Sequence, residues 1–414
     1  MRLRLPRTTT YDLPLLAVVL VLLAVGIAMV YSASGIRALD TLDEPRYFLI
    51  QQSAWAVIGL VAMAIAARVD YHRYRPLALP LLALSILLLL AVLVPGVGTS
   101  VGGASRWIRV GIVGIQPAEL AKLALILYLS FWCASRDARS GVRFTLPFLL
   151  LTTLITGLVV AEPDLGTAIV LVTIAFSIYF VAGARLREFA ALGLLAVVAV
   201  AALAVVQPYR LQRVLTFLDP WADPRGAGFQ TIQALYGLAL GGPFGEGLGA
   251  GKEKFGFLPA AYTDSIFAVL GNELGLLGTL GVVTLFLLLA FKGIRIALRA
   301  PDRAGALLAT GITCWLAFQA WLNMAVVASL VPMTGITLPF ISYGGSSLSV
   351  SLVAVGILLN VGHQGAEPAA VPGAARGRRD RGSREPAPRG RGGAARGASR
   401  RPFPLRGWSS RSRG

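Results

Sequence analysis

Residues 13–32 read LPLLAVVLVLLAVGIAMVYS, a run of twenty without one charged side chain. At 1.5 Å of rise per residue, a helix of that length covers the ~30 Å hydrocarbon layer of a bilayer. The run is too long for the apolar region of a signal peptide, and no small-residue cleavage site follows it cleanly, so it reads as a retained span. Nine further apolar runs follow, near residues 47–67, 76–95, 117–134, 144–161, 165–182, 188–207, 265–291, 304–327 and 343–362. They are unbroken rather than alternating, which selects helices over the closed barrel, the other structure that satisfies its backbone in lipid. The predicted fold is all-α, a polytopic membrane bundle of about ten transmembrane helices. Residues 1–12 form a cytoplasmic N-terminus, 13–363 the membrane domain and 364–414 a disordered basic tail.

Composition agrees. The chain of 414 residues is 56% hydrophobic and 14% charged, with mean hydropathy +0.71. Those values exclude a soluble protein, a secreted disulfide scaffold and a disordered chain. The net charge is +18, and 13 Arg against three acids in residues 364–414 supply much of it. That Arg-, Gly- and Pro-rich tail has no apolar periodicity. It reads as a solvated segment or a surface for anionic lipid, not for nucleic acid. Cys133 and Cys314 sit far apart inside apolar runs, with neither disulfide nor metal spacing.

Lys and Arg set the orientation. With the N-terminus (Arg2, Arg4, Arg7) inside, the cytoplasmic loops hold Arg68, Arg73 and Arg75; Arg136, Arg139 and Arg143; Arg185 and Arg187; and Lys292, Arg295, Arg299 and Arg303. The outer loops hold few. An even number of spans returns the tail to the cytoplasm, so both termini lie inside.

One outer segment, residues 208–264 between the seventh and eighth spans, is too long for a turn, and long loops of this kind are usually functional. It carries a glycine cluster from Gly241 to Gly251, which favours close backbone approach or a mobile lid over a helix. Gly251-Lys252 does not make a phosphate loop: Glu246 stands where the first glycine is needed, and Glu253 where Ser or Thr is needed.

Both histidines, His72 and His363, fall on the cytoplasmic side, so proton transfer outside must use carboxylates or amines. Asp264 stands where the large loop enters the eighth span. Its position suits a helix N-cap, and equally a base at the membrane–water boundary. Glu119 and Lys122, three apart at the start of the fourth span, share a helix face. They form either a structural ion pair or, with Arg106 and Arg109, a cationic site for a phosphate group. Glu162-Pro163-Asp164 reads as a tight turn capping the sixth span, or as part of a polar site. Pro332, Gly335 and Pro339, followed by Ser342-Tyr343-Gly344-Gly345-Ser346-Ser347, break the backbone between the last two spans, as happens beside a cavity. No residue pattern calls for a cofactor; a divalent cation stays open.

The stretch LVPMTGITLPFISYGGSS (residues 330–347) resembles the signature of the SEDS family (shape, elongation, division, sporulation). EPDLGTA (162–168), QPAELAK (116–122) and GASRW (103–107) are similar to the family's other blocks, in the family's order. Residues 259–275 resemble the segment around its catalytic aspartate. The likeness covers roughly residues 12–362. It implies a ten-span peptidoglycan glycosyltransferase that polymerises lipid II outside the membrane. Its implied partners are a class B penicillin-binding transpeptidase and other division-machinery membrane proteins. By motif, Asp264 matches the general base, and Lys122, Glu119, Arg106 and Asp164 match polar residues of the cavity. The segments 31–34 and 221–233 are more similar to division-type than to elongation-type members. Tyr262 stands where the family often has His, and Ala260 and Asn272 where it often has Glu.

The expected chemistry is an inverting glycosyl transfer. Asp264 would take the acceptor's proton while Lys122 and Arg106 stabilise a departing lipid pyrophosphate, with two isoprenoid tails held between spans. A flippase for lipid-linked precursors suits broken spans and buried charges equally, although the large outer loop is surplus to transport. A non-catalytic scaffold is the third reading.

Overall fold

The structure, a computed structural model, describes residues 11–101, 104–110, 113–138, 141–251 and 258–366. The basic residues before Tyr11, the Arg-rich tail from Glu367, Gly103 and the Lys252–Phe257 segment lie outside them. Ten helices occupy the ten apolar runs: α1 Leu13–Leu42, α2 Tyr47–Arg68, α3 Arg75–Leu93, α4 Pro117–Ala134, α5 Val142–Ala161, α6 Leu165–Val181, α7 Leu186–Val206, then α10 Ile266–Arg299, α11 Arg303–Val327 and α12 Gly345–Ala366. The long loop between α7 and α10 holds two more, α8 Pro208–Leu218 and α9 Phe229–Leu240. Nine are long and apolar enough to span a membrane; α6, equally apolar, has 17 residues.

Helix ends follow local chemistry. Asp12 caps α1 by accepting from the Leu15 N–H, with Pro14 in the first turn, and Asp302 caps α11 by accepting from Gly305 N–H at 2.7 Å. Such caps satisfy amides that have no partner within the helix.

The centre of the bundle is α4, α11 and α12, most of whose residues are buried, whereas α7 buries none. Apolar side chains gain little by leaving lipid for protein, so close packing holds the helices together. The pairing of α2 with α12 shows how: a Cβ at Gly356 would lie 2.4 Å from the Met63 carbonyl, so only glycine lets these backbones meet.

Two features depart from an all-helical reading. Between α3 and α4 the chain forms a small antiparallel sheet, β1 Gly98–Val101, β2 Ala104–Val110 and β3 Val113–Ile115, in the order β1-β2-β3 with a bulge at Thr99/Ser100. And α10 is broken: Gly275 has φ 67° and ψ −163° inside it. The glycine-rich loop splices the break. Glu246 and Gly247 N–H donate to the Asn272 and Glu273 carbonyls, at 3.0 and 3.1 Å, while Leu276 and Leu277 N–H donate to Gly242 and Pro243 carbonyls, at 2.8 and 3.1 Å. Gly245, itself at φ 81°, passes so close that a Cβ there would lie 2.1 Å from the Glu273 carbonyl. Gly241 and Gly245 thus serve close approach, a Cβ at Gly241 lying 1.9 Å from the Gly271 carbonyl, and this part of the loop is spliced to α10 rather than forming a lid.

Candidate active site

Asp264 lies in the turn just before α10. The N-cap of α10 is Ser265, so the Asp264 carboxyl is not a cap. Its backbone is tied down from three sides. Asn323 on α11 donates through Nδ2 to the Asp264 carbonyl at 2.8 Å and to the Ile336 carbonyl at 2.7 Å. Ser342 Oγ donates to the Thr263 carbonyl at 2.7 Å, and the Tyr343 N–H to the Tyr262 carbonyl at 2.9 Å. From the long loop, Gln230 donates to Ser265 Oγ at 3.1 Å. The broken backbone of residues 332–344 therefore serves as the bed on which the Asp264 turn rests.

The carboxyl itself is half-buried and accepts no hydrogen bond among the described residues. Burial pushes its pKa up to about 6, Asp164 adds to the rise, and the guanidinium groups of Arg106 and Arg213 oppose it. Asp164 caps α6, accepting from Thr167 N–H at 3.0 Å and Thr167 Oγ1 at 2.9 Å, and sits 4.0 Å from Arg106. Both sequence readings of the Glu162–Asp164 turn thus hold together. Arg106 is positioned by donating to the Glu162 carbonyl at 3.3 Å and to the Pro163 carbonyl. Glu162 is buried and among the described residues neither carboxyl oxygen is hydrogen-bonded; burial first, and Asp164 second, push its pKa up to about 8, against the opposing charge of Arg106.

Lys122 and Glu119 do not form an open cationic site. Lys122 is 1% exposed and donates to Glu119 Oε1 at 2.8 Å and Gln319 Oε1 at 2.7 Å, with the Trp315 ring centroid 4.9 Å away. Gln319 in turn donates to the Thr337 carbonyl at 3.0 Å, so this pair buttresses the bed beneath Asp264 rather than facing a ligand. Arg109 is set apart for a different reason. It is exposed on β2, three residues past Arg106, which the register shift leaves without a strand partner.

Sequence reasoning missed Arg213. It projects from α8, donates one bond, to the Met333 carbonyl at 3.2 Å, and is exposed. An arginine in a loop helix carries no distinguishing signal. Gln319 and Asn323, four apart inside an apolar span, did carry one, because polar residues at membrane depth face partners or cavities.

A trough leads to this cluster. An apolar cavity of about 430 Å³ runs between α5, α6 and α7. Leu165, Ile169 and Val200 also line the next cavity, of about 180 Å³, which reaches Pro163, Arg213 and Thr334. Arg213 and Met333 then join it to a third, of about 280 Å³, with polar walls from Gln212, Gln230 and Ser329. Both histidines lie at the other end of the bundle, His72 between Asp70 and Asp302 (2.8 and 3.0 Å) and His363 stacked on Tyr11. A carboxyl group titrating near neutrality, two guanidiniums and an apolar trough suit proton abstraction beside a lipid-borne anion.

Comparison with known proteins agrees in kind. The sequence model of the family described as cell cycle protein, FTSW_RODA_SPOVE, matches residues 13–367. This chain belongs to that family. A relative from Geobacter sp. (strain M18), named probable peptidoglycan glycosyltransferase FtsW, is 42% identical over 86% of this chain and 97% of its own. Stage V sporulation protein E of Bacillus subtilis is 43% identical over 86% of this chain and 98% of its own. Among solved structures, one described as a peptidoglycan synthase complex that coordinates polymerization and crosslinking superposes with TM-score 0.72 and 34% identity, covering 87% of this chain and 99% of that one. The rod shape determining protein RodA of Thermus thermophilus superposes at TM-score 0.64 and 29% identity, covering 88% and 100%.

Proposed function

We propose that this chain is a peptidoglycan glycosyltransferase of the division type, polymerising lipid II into glycan strands at the outer face of the cytoplasmic membrane. The observation that carries the chemistry is the half-buried Asp264 carboxyl, which accepts no hydrogen bond among the described residues and feels the guanidiniums of Arg106 and Arg213, the latter also lining the apolar trough.

The reaction is an inverting transfer. Asp264 accepts the proton of the acceptor sugar's hydroxyl as that oxygen bonds to the donor's anomeric carbon. The bond from that carbon to the pyrophosphate breaks, and the lipid pyrophosphate leaves with the electron pair. Arg213 is the cation best able to meet it, since a guanidinium has five N–H donors and Arg213 uses one among the described residues. Arg106, held by two carbonyls, offsets part of the Asp164 charge felt by Asp264. The α5–α6–α7 trough takes one isoprenoid tail, so that its phosphates arrive at Arg213. Among the described residues no three carboxylate, imidazole or thiolate groups converge into a metal site, and no step is assigned to a divalent cation.

The orientation follows from charge: the end of the bundle with Arg73, Arg75, Lys292, Arg295, Arg299 and Arg303 faces the cytoplasm, together with both termini, and Asp264 faces out. Released strands require crosslinking, which a membrane-bound class B penicillin-binding transpeptidase supplies; other division-machinery membrane proteins complete the assembly. The names carried by the relatives favour polymerisation over a flippase role.

Purified protein with its transpeptidase partner, supplied with lipid II, tests this. Wild type should yield glycan ladders on a gel and Asp264→Asn none. Ladders of undiminished length from Asp264→Asn sink the assignment of the base. No product from the wild-type pair sinks the glycosyltransferase reading itself.

A further inference from the structure

At the end of α10 furthest from Asp264 the structure holds a separate cavity, of about 470 Å³, lined by Asp12, Lys292, Arg295, Arg299, Gly362 and Gly365. Its charge is lopsided. Lys292 is neutralised by Asp12, with Nζ 3.2 Å from Oδ1. Arg295 and Arg299 form no ion pair among the described residues; Arg295 lies over the Phe291 ring, 5.4 Å from its centroid. Two uncompensated guanidiniums therefore face one cavity.

The cavity owes its shape to glycine. Where α12 passes α10, a Cβ at Gly365 would lie 2.4 Å from the Arg299 carbonyl, and one at Gly362 would lie 3.1 Å from Ile296. The two helix ends are drawn together, and the arginine side chains stand clear beside them. On α10, Phe291, Ile294 and Leu298 are all more than half exposed. Spaced three and four apart, they form one apolar stripe along α10 on the face next to that of Arg295 and Arg299. An apolar stripe flanking paired guanidiniums matches a molecule with acyl chains and a phosphate diester.

We propose that this cavity binds the phosphate headgroup of an anionic phospholipid, with the acyl chains lying on the Phe291–Ile294–Leu298 stripe. The ligand chemistry is a phosphate anion, and the lipid is its source. The site is built from α10 side chains against the glycine face of α12 and is separate from any attraction the Arg-rich tail exerts.

Full-length protein reconstituted in vesicles of equimolar phosphatidylglycerol and phosphatidylcholine, then extracted and weighed by native mass spectrometry, reads the lipid retained. Wild type should keep phosphatidylglycerol preferentially. Arg295→Gln with Arg299→Gln should lower that preference by about an order of magnitude or more, since each charge near the surface contributes roughly a factor of five. The paired lysine variant, Arg295→Lys with Arg299→Lys, should restore most of it, which separates loss of the site from misfolding. The tail is unchanged in all three, so equal retention by wild type and the glutamine pair overturns the proposal. Displacement of the retained lipid by inorganic phosphate as readily as by phosphatidylglycerol vesicles overturns the lipid source and leaves a simple anion site.

Discussion

In the proposed mechanism Asp264 has to be ionised to accept a proton, and its surroundings set when that happens. Its pKa, pushed up to about 6, lies above the ordinary carboxylate value, so kcat/KM should rise with pH through that region and level off above it. Because Asp164 raises this pKa and Arg213 lowers it, two substitutions should move the acid limb in opposite directions. Asp164→Asn, which keeps a side chain able to cap α6, should shift the limb to lower pH. Arg213→Gln should shift it to higher pH and also slow turnover by about 10²-fold, as expected for loss of one charge-stabilising donor. Initial rates of lipid II polymerisation between pH 5 and 8 read both, and a limb unmoved in both variants would separate Asp264 from the titration. Motif and position single out Asp264 and Asp164 as candidates in the sequence, but not Arg213, because its contact joins α8 to a bed nearly seventy residues from the aspartate. Lys122 misled for a physical reason: spacing places it on the same face as Glu119, and spacing alone does not tell a buried pair from an open one. The buried pair makes its own prediction. Lys122→Ala should destabilise by about 3–5 kcal/mol, since Glu119 is left uncompensated, while Lys122→Met with Glu119→Leu should recover most of the loss. Thermal unfolding in detergent compares the two, and a single variant no worse than the double would refute the uncompensated charge.

At the scale of elements, the apolar runs announced all ten long helices, since a period-free stretch of twenty apolar residues has little else to become in lipid. The same signal could not reveal the break in α10, because Gly275 sits in an apolar sequence and its carbonyl and amide partners come from a loop thirty residues earlier. Nor did it reveal the β1-β2-β3 sheet, whose short strands leave too few residues for alternation to register. The splice makes the glycine loop sensitive in a position-specific way. Gly245→Ala must both hold a left-handed backbone and displace the Glu273 carbonyl, so it should destabilise by roughly 3 kcal/mol. Gly242 is also left-handed, at φ 53°, but a Cβ there meets nothing within 4 Å, so Gly242→Ala should cost only about 1 kcal/mol. Unfolding midpoints of the two alanine variants check the contrast; equal losses would mean that the loop does not bear on the α10 break.

For the whole molecule, function depends on which end of the bundle faces the cell wall, and the two ends differ in charge. Arg73 and the Lys292–Arg303 segment stand at one end; Asp264, the trough mouth and the glycine loop stand at the other. The positive end should face the cytoplasm, because translocating short basic loops is disfavoured. Leu248 in the glycine loop is 65% exposed and Arg73 is exposed, so single cysteines at these positions report on opposite ends. In a background lacking Cys133 and Cys314, Leu248→Cys in intact spheroplasts should react with a thiol reagent that cannot cross membranes. Arg73→Cys should react only after lysis. The reverse pattern would put Asp264 in the cytoplasm, on the wrong side for building a wall, and leave the trough to a reaction on the inner leaflet.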